Sequence, residues 1–364
     1  MASSSSTSSS ELSRYERVRV ERTPKAAIAF LVLVMLVELT LGANRQWFAD
    51  HAAWQWETKR ALLAQGALDG DVAIFGTSVL YHGLDPTPAN RGFSRGRVVN
   101  LALNGMMLQH QAQLLRDRIA AGRAPAVAVL EFRQVLVEHE SWFRGPYYRF
   151  WASWPDFLES RFYYWNLPLA FGFAENRVLP SFRYREAIDN WIFDSARTFG
   201  PAGHTRARNR ATEVEMREHA GMVSAFENRS QAAYDGPQSP RVWAVNPAGE
   251  RWLREFLNVA AAHRIQIALL ATPAPPYLVE TPGPDGFRAQ LTAYVEKIRR
   301  EYPSADIELF GPKGYGLADF ADDVHLSVSG REKMSAQFAD WFRDYSARHA
   351  LGRAIAPATT TPMK

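Results

Sequence analysis

A chain of 364 residues that is 47% hydrophobic and 22% charged is ordinary globular material, long enough for one large core with additions. It contains no cysteine, which excludes disulfide scaffolds, thiolate metal sites and a thiol nucleophile. The net charge of +4 arises from 42 basic residues dispersed among 38 acidic ones, with no basic run of the kind that follows a phosphate backbone, so nucleic acid is not an expected partner.

Residues 2 to 10 are Ala, Ser and Thr only, too polar and simple to pack, and the first 25 residues read as an unstructured cytoplasmic tail. From Ala26 to Ala43 the chain has eighteen residues with a single charge, Glu38, close to the shortest helix that crosses a bilayer. A buried core helix and a cleavable signal peptide compete with an anchor, the latter because a cut after Gly42 would have the small Thr40 at the third position before it. An anchor is the preferred reading, since the preceding segment is long for a signal peptide. Arg14, Arg17, Arg19, Arg22 and Lys25 precede the apolar run while Arg45 alone closely follows it, a bias that keeps the amino terminus in the cytoplasm. The expectation is therefore a single-pass protein of the inner membrane with its body periplasmic or otherwise extracytoplasmic. Residues 44 to 70 read as a linker helix, and Trp47, Phe48, Trp54 and Trp56 suit either a membrane interface or packing on the domain.

An α/β domain is expected over residues 71–350. Val72 to Phe75 reads as a short buried strand ended by Gly76-Thr77-Ser78. Val98 to Leu101 and Ala126 to Phe132 are further strands, with an amphipathic helix from Met107 to Ala121 between them. An insertion at 141–245 breaks the rhythm. It is rich in aromatic residues and arginine, and reads as a helical addition with its own aromatic core or as a face for a sugar polymer, the bilayer or a membrane partner. Its His204, Arg206, Arg208 and Arg210 form a basic patch that a solvated face explains. The rhythm resumes with helix Pro247 to His263, strand Ile265 to Ala271, helix Gly286 to Arg300 and strand Ala305 to Leu309. A last helix, Arg331 to Arg348, precedes a flexible tail at 351–364. Alternating strands and helices predict a doubly wound, mostly parallel sheet, which binds ligands at the carboxyl edge of its strands.

Two motifs fall on that edge. Ser78 occupies a strand-to-helix turn, where a nucleophile is exposed and the N–H groups of the helix start face an oxyanion. Far along the chain, Phe320 to Gly330 holds Asp322 and His325 in the spacing Asp-x-x-His. Serine early, with acid and histidine late and close together, is one of the chain orders of a Ser-His-Asp triad.

With these residues the chain resembles the SGNH or GDSL hydrolase superfamily. Gly76-Thr77-Ser78 is similar to its first block, with Thr77 in place of the usual Asp, and Asp322 to His325 to its last. Val98 to Gly105 looks like the second block, whose glycine, here Gly105, lends an N–H to the oxyanion hole. The third block, Gly-x-Asn-Asp, is missing; Glu131-Phe132-Arg133-Gln134 stands there, with no asparagine. The closer resemblance is to a membrane-anchored branch that includes the D-alanine-transfer protein of teichoic acid synthesis and the alginate and cellulose O-acetylation proteins.

The resemblance implies Ser78 as nucleophile, His325 as base and Asp322 as the residue that orients it. It implies an oxyanion hole from the N–H groups of Ser78 and Gly105, with Asn104 as the candidate for the missing side-chain donor. The reaction would move an O-acyl group to or from a cell-envelope glycan through an acyl-serine, and such chemistry calls for no cofactor. Partners would be an acylated glycan or acyl donor and a membrane-bound acyltransferase. A plain esterase and a non-catalytic scaffold that binds a glycan or an acyltransferase remain open as alternatives. His82, one helical turn beyond Ser78, reads as a partly exposed histidine that could line the site, and Asp85 as a turn residue before Pro86. The remaining histidines have no metal-ligand spacing, and no metal is expected.

Overall fold

The computed structural model of the chain describes residues 9–45, 51–93, 96–132, 149–158, 167–185, 187–188, 201–223, 245–276, 286–349 and 351. In chain order the elements are α1 (Ser9–Ala43), α2 (His51–Ala64), β1 (Val72–Phe75), α3 (Ser78–Gly83), α4 (Thr87–Gly92), β2 (Val98–Asn100), α5 (Leu108–Ala120) and β3 (Val127–Glu131). There follow α6 (Leu167–Val178), α7 (Pro180–Arg183), α8 (Pro201–Glu218), α9 (Pro247–Ala262), β4 (Gln266–Leu270), α10 (Phe287–Glu301), β5 (Glu308–Phe310) and α11 (Val328–Arg348).

The strands form one parallel sheet in the order β2-β1-β3-β4-β5. That order places β3 in the middle with β1 and β4 on either side, and every residue of β1, β2 and β3 is buried, as parallel strands covered on both faces require. Phe75 pairs with Leu130, so the carboxyl ends of β1 and β3 are level and their following loops share one edge. Helix α5 packs along α9, while α11 packs on α3 and α4. The Phe256 ring meets Phe75 edge-on at 5.2 Å, so α9 covers the middle of the sheet. β5 begins at Glu308, three residues after its expected start, because Pro303–Ala305 forms a 3-10 turn and Asp306 adopts a left-handed backbone (φ 44°).

At the amino terminus α1 is one continuous helix from Ser9, so the tail expected to be unstructured through residue 25 is helical from Ser9 onward. Its charged residues are good helix formers and extend a helix that the apolar segment already nucleates. Lys25–Ala43 is long and apolar enough to cross a membrane, as an anchor or as a signal sequence, and none of it is buried.

The stretch expected to be a linker is part of the domain. Helix α2 buries Ala53, Trp56, Leu62 and Lys59 in the core, and Trp54 packs against it. Trp56 therefore serves packing rather than a membrane interface, whereas Trp47 and Phe48 lie outside the described residues. Within the insertion, Phe150, Trp151, Phe157, Phe173 and Tyr184 are buried and continuous with the main core, Trp151 meeting Trp56 edge-on at 5.8 Å. The described aromatic residues of the insertion thus extend the domain core. Trp142, Phe143, Tyr147, Tyr148, Phe162 to Trp165 and Trp191 lie outside the described residues. So do the side chains of His204, Arg206 and Arg208 in α8; Arg210 is exposed.

Candidate functional site

The site begins with β1. Its last buried residue, Phe75, leads into Gly76, where an added Cβ would lie 2.7 Å from both Glu131 Oε2 and Leu80 Cδ1; only a residue without a side chain lets the turn close this tightly. Thr77 caps α3, its hydroxyl accepting from Val79 N at 3.3 Å, and Ser78 is the first helical residue, partly exposed. The turn is tied to the neighbouring strand as well, for Thr77 N donates to the buried Glu131 carboxylate at 2.5 Å. Glu131 therefore holds the serine turn.

From the other end of the chain, Phe320 and Leu326 form an antiparallel bridge that pinches off the loop between them, and Ala321 N donates to His325 O at 2.8 Å. Asp322 organises that loop: its Oδ1 accepts from Val324 N (2.8 Å) and His325 N (2.7 Å). Its other oxygen, Oδ2, accepts from His325 Nδ1 at 2.8 Å. With Nδ1 carrying the proton, Nε2 is an acceptor, and Ser78 Oγ donates to it at 2.8 Å. Leu326 packs beneath Gly83 of α3, which brings the two segments together although 247 residues separate Ser78 from His325. Burial pushes the Asp322 carboxyl up, but the His325 side chain and backbone and the Val324 N–H outweigh it and hold the carboxyl down at about 2. Asp322 is thus ionised near neutrality and fixes the imidazole tautomer. Expected nucleophile, base and orienting acid form one hydrogen-bonded line.

The third component is the loop after β2. Leu101 N donates to Ile74 O (2.7 Å) and Leu103 N to Gly76 O (3.2 Å), so the loop runs beside the serine turn with Gly105 two residues past the contact. Gly105 has φ 66°, a conformation that favours glycine. Asn100, fully buried, braces the loop against α3: its Nδ2 donates to Leu80 O and Leu84 O, both at 2.8 Å, and its Oδ1 accepts from Ala102 N.

Helix α2 supplies what sequence reasoning missed. Trp56 Nε1 donates to Asn104 O at 3.1 Å, and Gln55 Oε1 accepts from Asn104 Nδ2 at 2.7 Å. The fully buried Lys59 donates to Asn100 O at 3.0 Å and to Ala102 O, with its Nζ 4.6 Å from the centre of the Tyr81 ring. Burial drives the Lys59 amine well below its usual range, because the charged form loses its hydration there. Gln55, Trp56 and Lys59 share one face of α2, and the only signal in the sequence was a lysine set among Trp and Leu.

Asn104 contacts side chains of both α2 and α3. Its side-chain amide bonds to Gln55 at 2.7 Å and lies 3.0 Å from His82 Nε2. His82 is buried, not partly exposed; its Nδ1 donates to Val223 O at 2.7 Å and its ring lies 6.3 Å from that of His325. Asp85 serves its turn by accepting from Thr87 N and also meets His219 at 3.0 Å. The carboxyl end of the insertion therefore reaches the site through His219 and Val223. Among the described residues no group of three or more His, Asp or Glu side chains is placed to hold a metal. The chain matches no known family model and no curated protein.

Proposed function

We propose that this protein is a membrane-anchored serine enzyme of the SGNH type that transfers an O-acyl group to or from a cell-envelope glycan outside the cytoplasm. The observation that carries the reading is the line Ser78 Oγ, His325 and Asp322, each link 2.8 Å. Ser78 Oγ attacks the acyl carbonyl as its proton passes to His325 Nε2. The tetrahedral oxyanion is met by the N–H groups of Ser78 and Gly105, each such donor lowering the barrier by about 3 kcal/mol. Collapse breaks the ester bond, His325 returns the proton to the departing alcohol, and the acyl group remains on Ser78. A second alcohol then gives its proton to His325 as it attacks the acyl-serine carbonyl, the bond to Ser78 Oγ breaks, and His325 returns the proton to that oxygen. Asp322 stays ionised throughout and stabilises the imidazolium. Each step uses side chains and backbone N–H groups of this chain.

The anchor reading is supported by contacts that cleavage would destroy: Glu38 in α1 accepts from Ser181 N at 2.9 Å and from the Ser181 hydroxyl. The basic residues before Lys25 favour an amino terminus inside and a domain outside.

The test uses the full chain in detergent with an activated acyl ester, followed by intact mass with and without glycan acceptors. Expected is an acyl adduct on Ser78, absent in Ser78→Ala, that a glycan discharges faster than water does. Discharge by water at the same rate makes the protein an esterase. No adduct with any activated ester, and no labelling by a fluorophosphonate, rejects the enzyme in favour of the scaffold.

A further inference from the structure

Outside α1, the large hydrophobic side chains left exposed among the described residues are concentrated in one region. Five of seven, Trp154, Leu158, Phe171, Val178 and Phe182, fall within 154–182. Val178 is 71% and Phe171 62% exposed, as open as Phe30 of the apolar helix at 65%. Isolated surface hydrophobics are ordinary; a cluster is not. The cluster is also ordered: Trp154 stands edge-on to Phe173 of α6 at 4.9 Å, and Phe173 stacks on Phe157 at 4.5 Å. Phe171, two residues from Phe173, is directed away from that packing.

The height of this cluster is set by α1. Ser181 of α7 donates to Glu38 through its backbone N and its hydroxyl, and Pro180 approaches Gly42 so closely that a Cβ there would lie 3.3 Å from its ring. Glu38 is five residues short of the end of the apolar segment Lys25–Ala43. At about 1.5 Å per residue, that is about 8 Å inside the end of the span. A corner hydrogen-bonded to Glu38 sits at the same depth. Amphipathic helices that lie on bilayers seat their apolar face about 5–10 Å into the boundary between headgroups and acyl chains.

We propose that the corner formed by α6 and α7, with Trp154 beside it, is a second membrane contact seated in the leaflet at the carboxyl end of α1. The occupant is lipid. Phe171, Val178 and Phe182 enter the acyl boundary, and Trp154 takes the amphipathic interfacial position that indole rings favour. One helix leaves a domain free to swivel; a helix and a shelf fix its height and tilt. The connection continues to the site, because Tyr184 donates to Glu57 of α2 and Arg183 pairs with the same carboxylate at 3.4 Å. The shelf therefore sets the orientation of the Ser78 edge to the bilayer. This inference rests on the anchor reading, and its test separates the two.

The chain has no cysteine, so single cysteines can be placed at will. Met35→Cys, Phe171→Cys, Val178→Cys, Phe182→Cys and, as a control, Val214→Cys are made in the full chain and labelled with bimane. Each is reconstituted alone into vesicles of phosphatidylcholine and phosphatidylglycerol, and quenching by doxyl-labelled lipid is compared with quenching by iodide. Labels at 171, 178 and 182 are expected to be quenched several-fold more by doxyl lipid than the label at 214, and several-fold less by iodide. Should iodide quench them as it quenches 214 while Met35→Cys responds to doxyl lipid, the shelf is overturned and the anchor stands. Iodide quenching at 35 overturns both. Protection from both quenchers at 171, 178 and 182 assigns the patch to protein contact and overturns the lipid assignment.

Discussion

Asp322 and Asp323 are adjacent, and Asp322 meets the His325 ring at 2.8 Å. Because Asp322 Oδ1 is occupied by two backbone N–H groups, Oδ2 is left to face Nδ1, and the loop backbone itself selects the partner. Asp322→Asn is expected to lower turnover by about 10³–10⁴-fold through a misoriented imidazole, while Asp323→Asn costs less than about threefold. Steady-state rates of the two variants decide, and the reverse ranking would refute the assignment. The same carboxylate contributes to stability with a definite sign. Its folded pKa of about 2 lies below the unfolded value of about 3.9, so the folded state gains from the ionised form above about pH 4 and loses that gain as pH falls to about 2. With the side chain a third exposed, solvent screening reduces the contribution to about 1 kcal/mol. Urea unfolding of Asp322→Asn should therefore converge on the wild type between pH 4 and pH 2, and parallel curves would show that the carboxylate is not stabilised by folding.

At the scale of elements, α2 acts as the back support of the site loop. The residues from Asn100 to Gly105 have a path set on one side by parallel pairing with β1 and on the other by Gln55, Trp56 and Lys59. Lys59→Met keeps the volume and removes the donors, leaving two carbonyls without their amine partner at about 1–3 kcal/mol each. Turnover is expected to fall at least about tenfold, because Gly105 is no longer held against the serine turn, while a fluorophosphonate still labels Ser78 slowly. The pH profile separates packing from chemistry. Burial holds the Lys59 amine below its unfolded value of about 10.4, so wild-type stability gains on the variant as pH rises through the folded value toward 10.4. A constant difference from neutral to alkaline pH would mean that the amine is not desolvated as described.

At the scale of the whole molecule, the apolar helix α1 and the α/β domain meet through α7, and the proposal that α1 is an anchor makes the side on which the domain lies a testable consequence. The basic residues Arg14, Arg17, Arg19, Arg22 and Lys25 on one side against Arg45 on the other favour an outward domain. Alkaline phosphatase fused after Arg348 should be active and a fluorescent protein at the same point dark. The opposite pair of results ends the extracytoplasmic reading.

The sequence by itself determined the alternation of strands and helices on either side of the insertion, from Val72 to Glu131 and from Pro247 to Arg348, the apolar segment ending at Ala43 and the positions of Ser78, Asp322 and His325. These are local signals: apolar runs, turn residues and short spacings record backbone preferences within a few residues of one another. It could not show that α2 belongs to the core, that Glu131 holds the serine turn, or that Lys59 and Asn100 brace the loop before Gly105. Those roles join residues from about 16 to 54 positions apart and depend on buried donors meeting acceptors, which only strand order and packing bring together. The reassignment of His82 has the same cause. A histidine reads as exposed until a carbonyl 141 residues away, Val223 O, is folded against its ring and buries it.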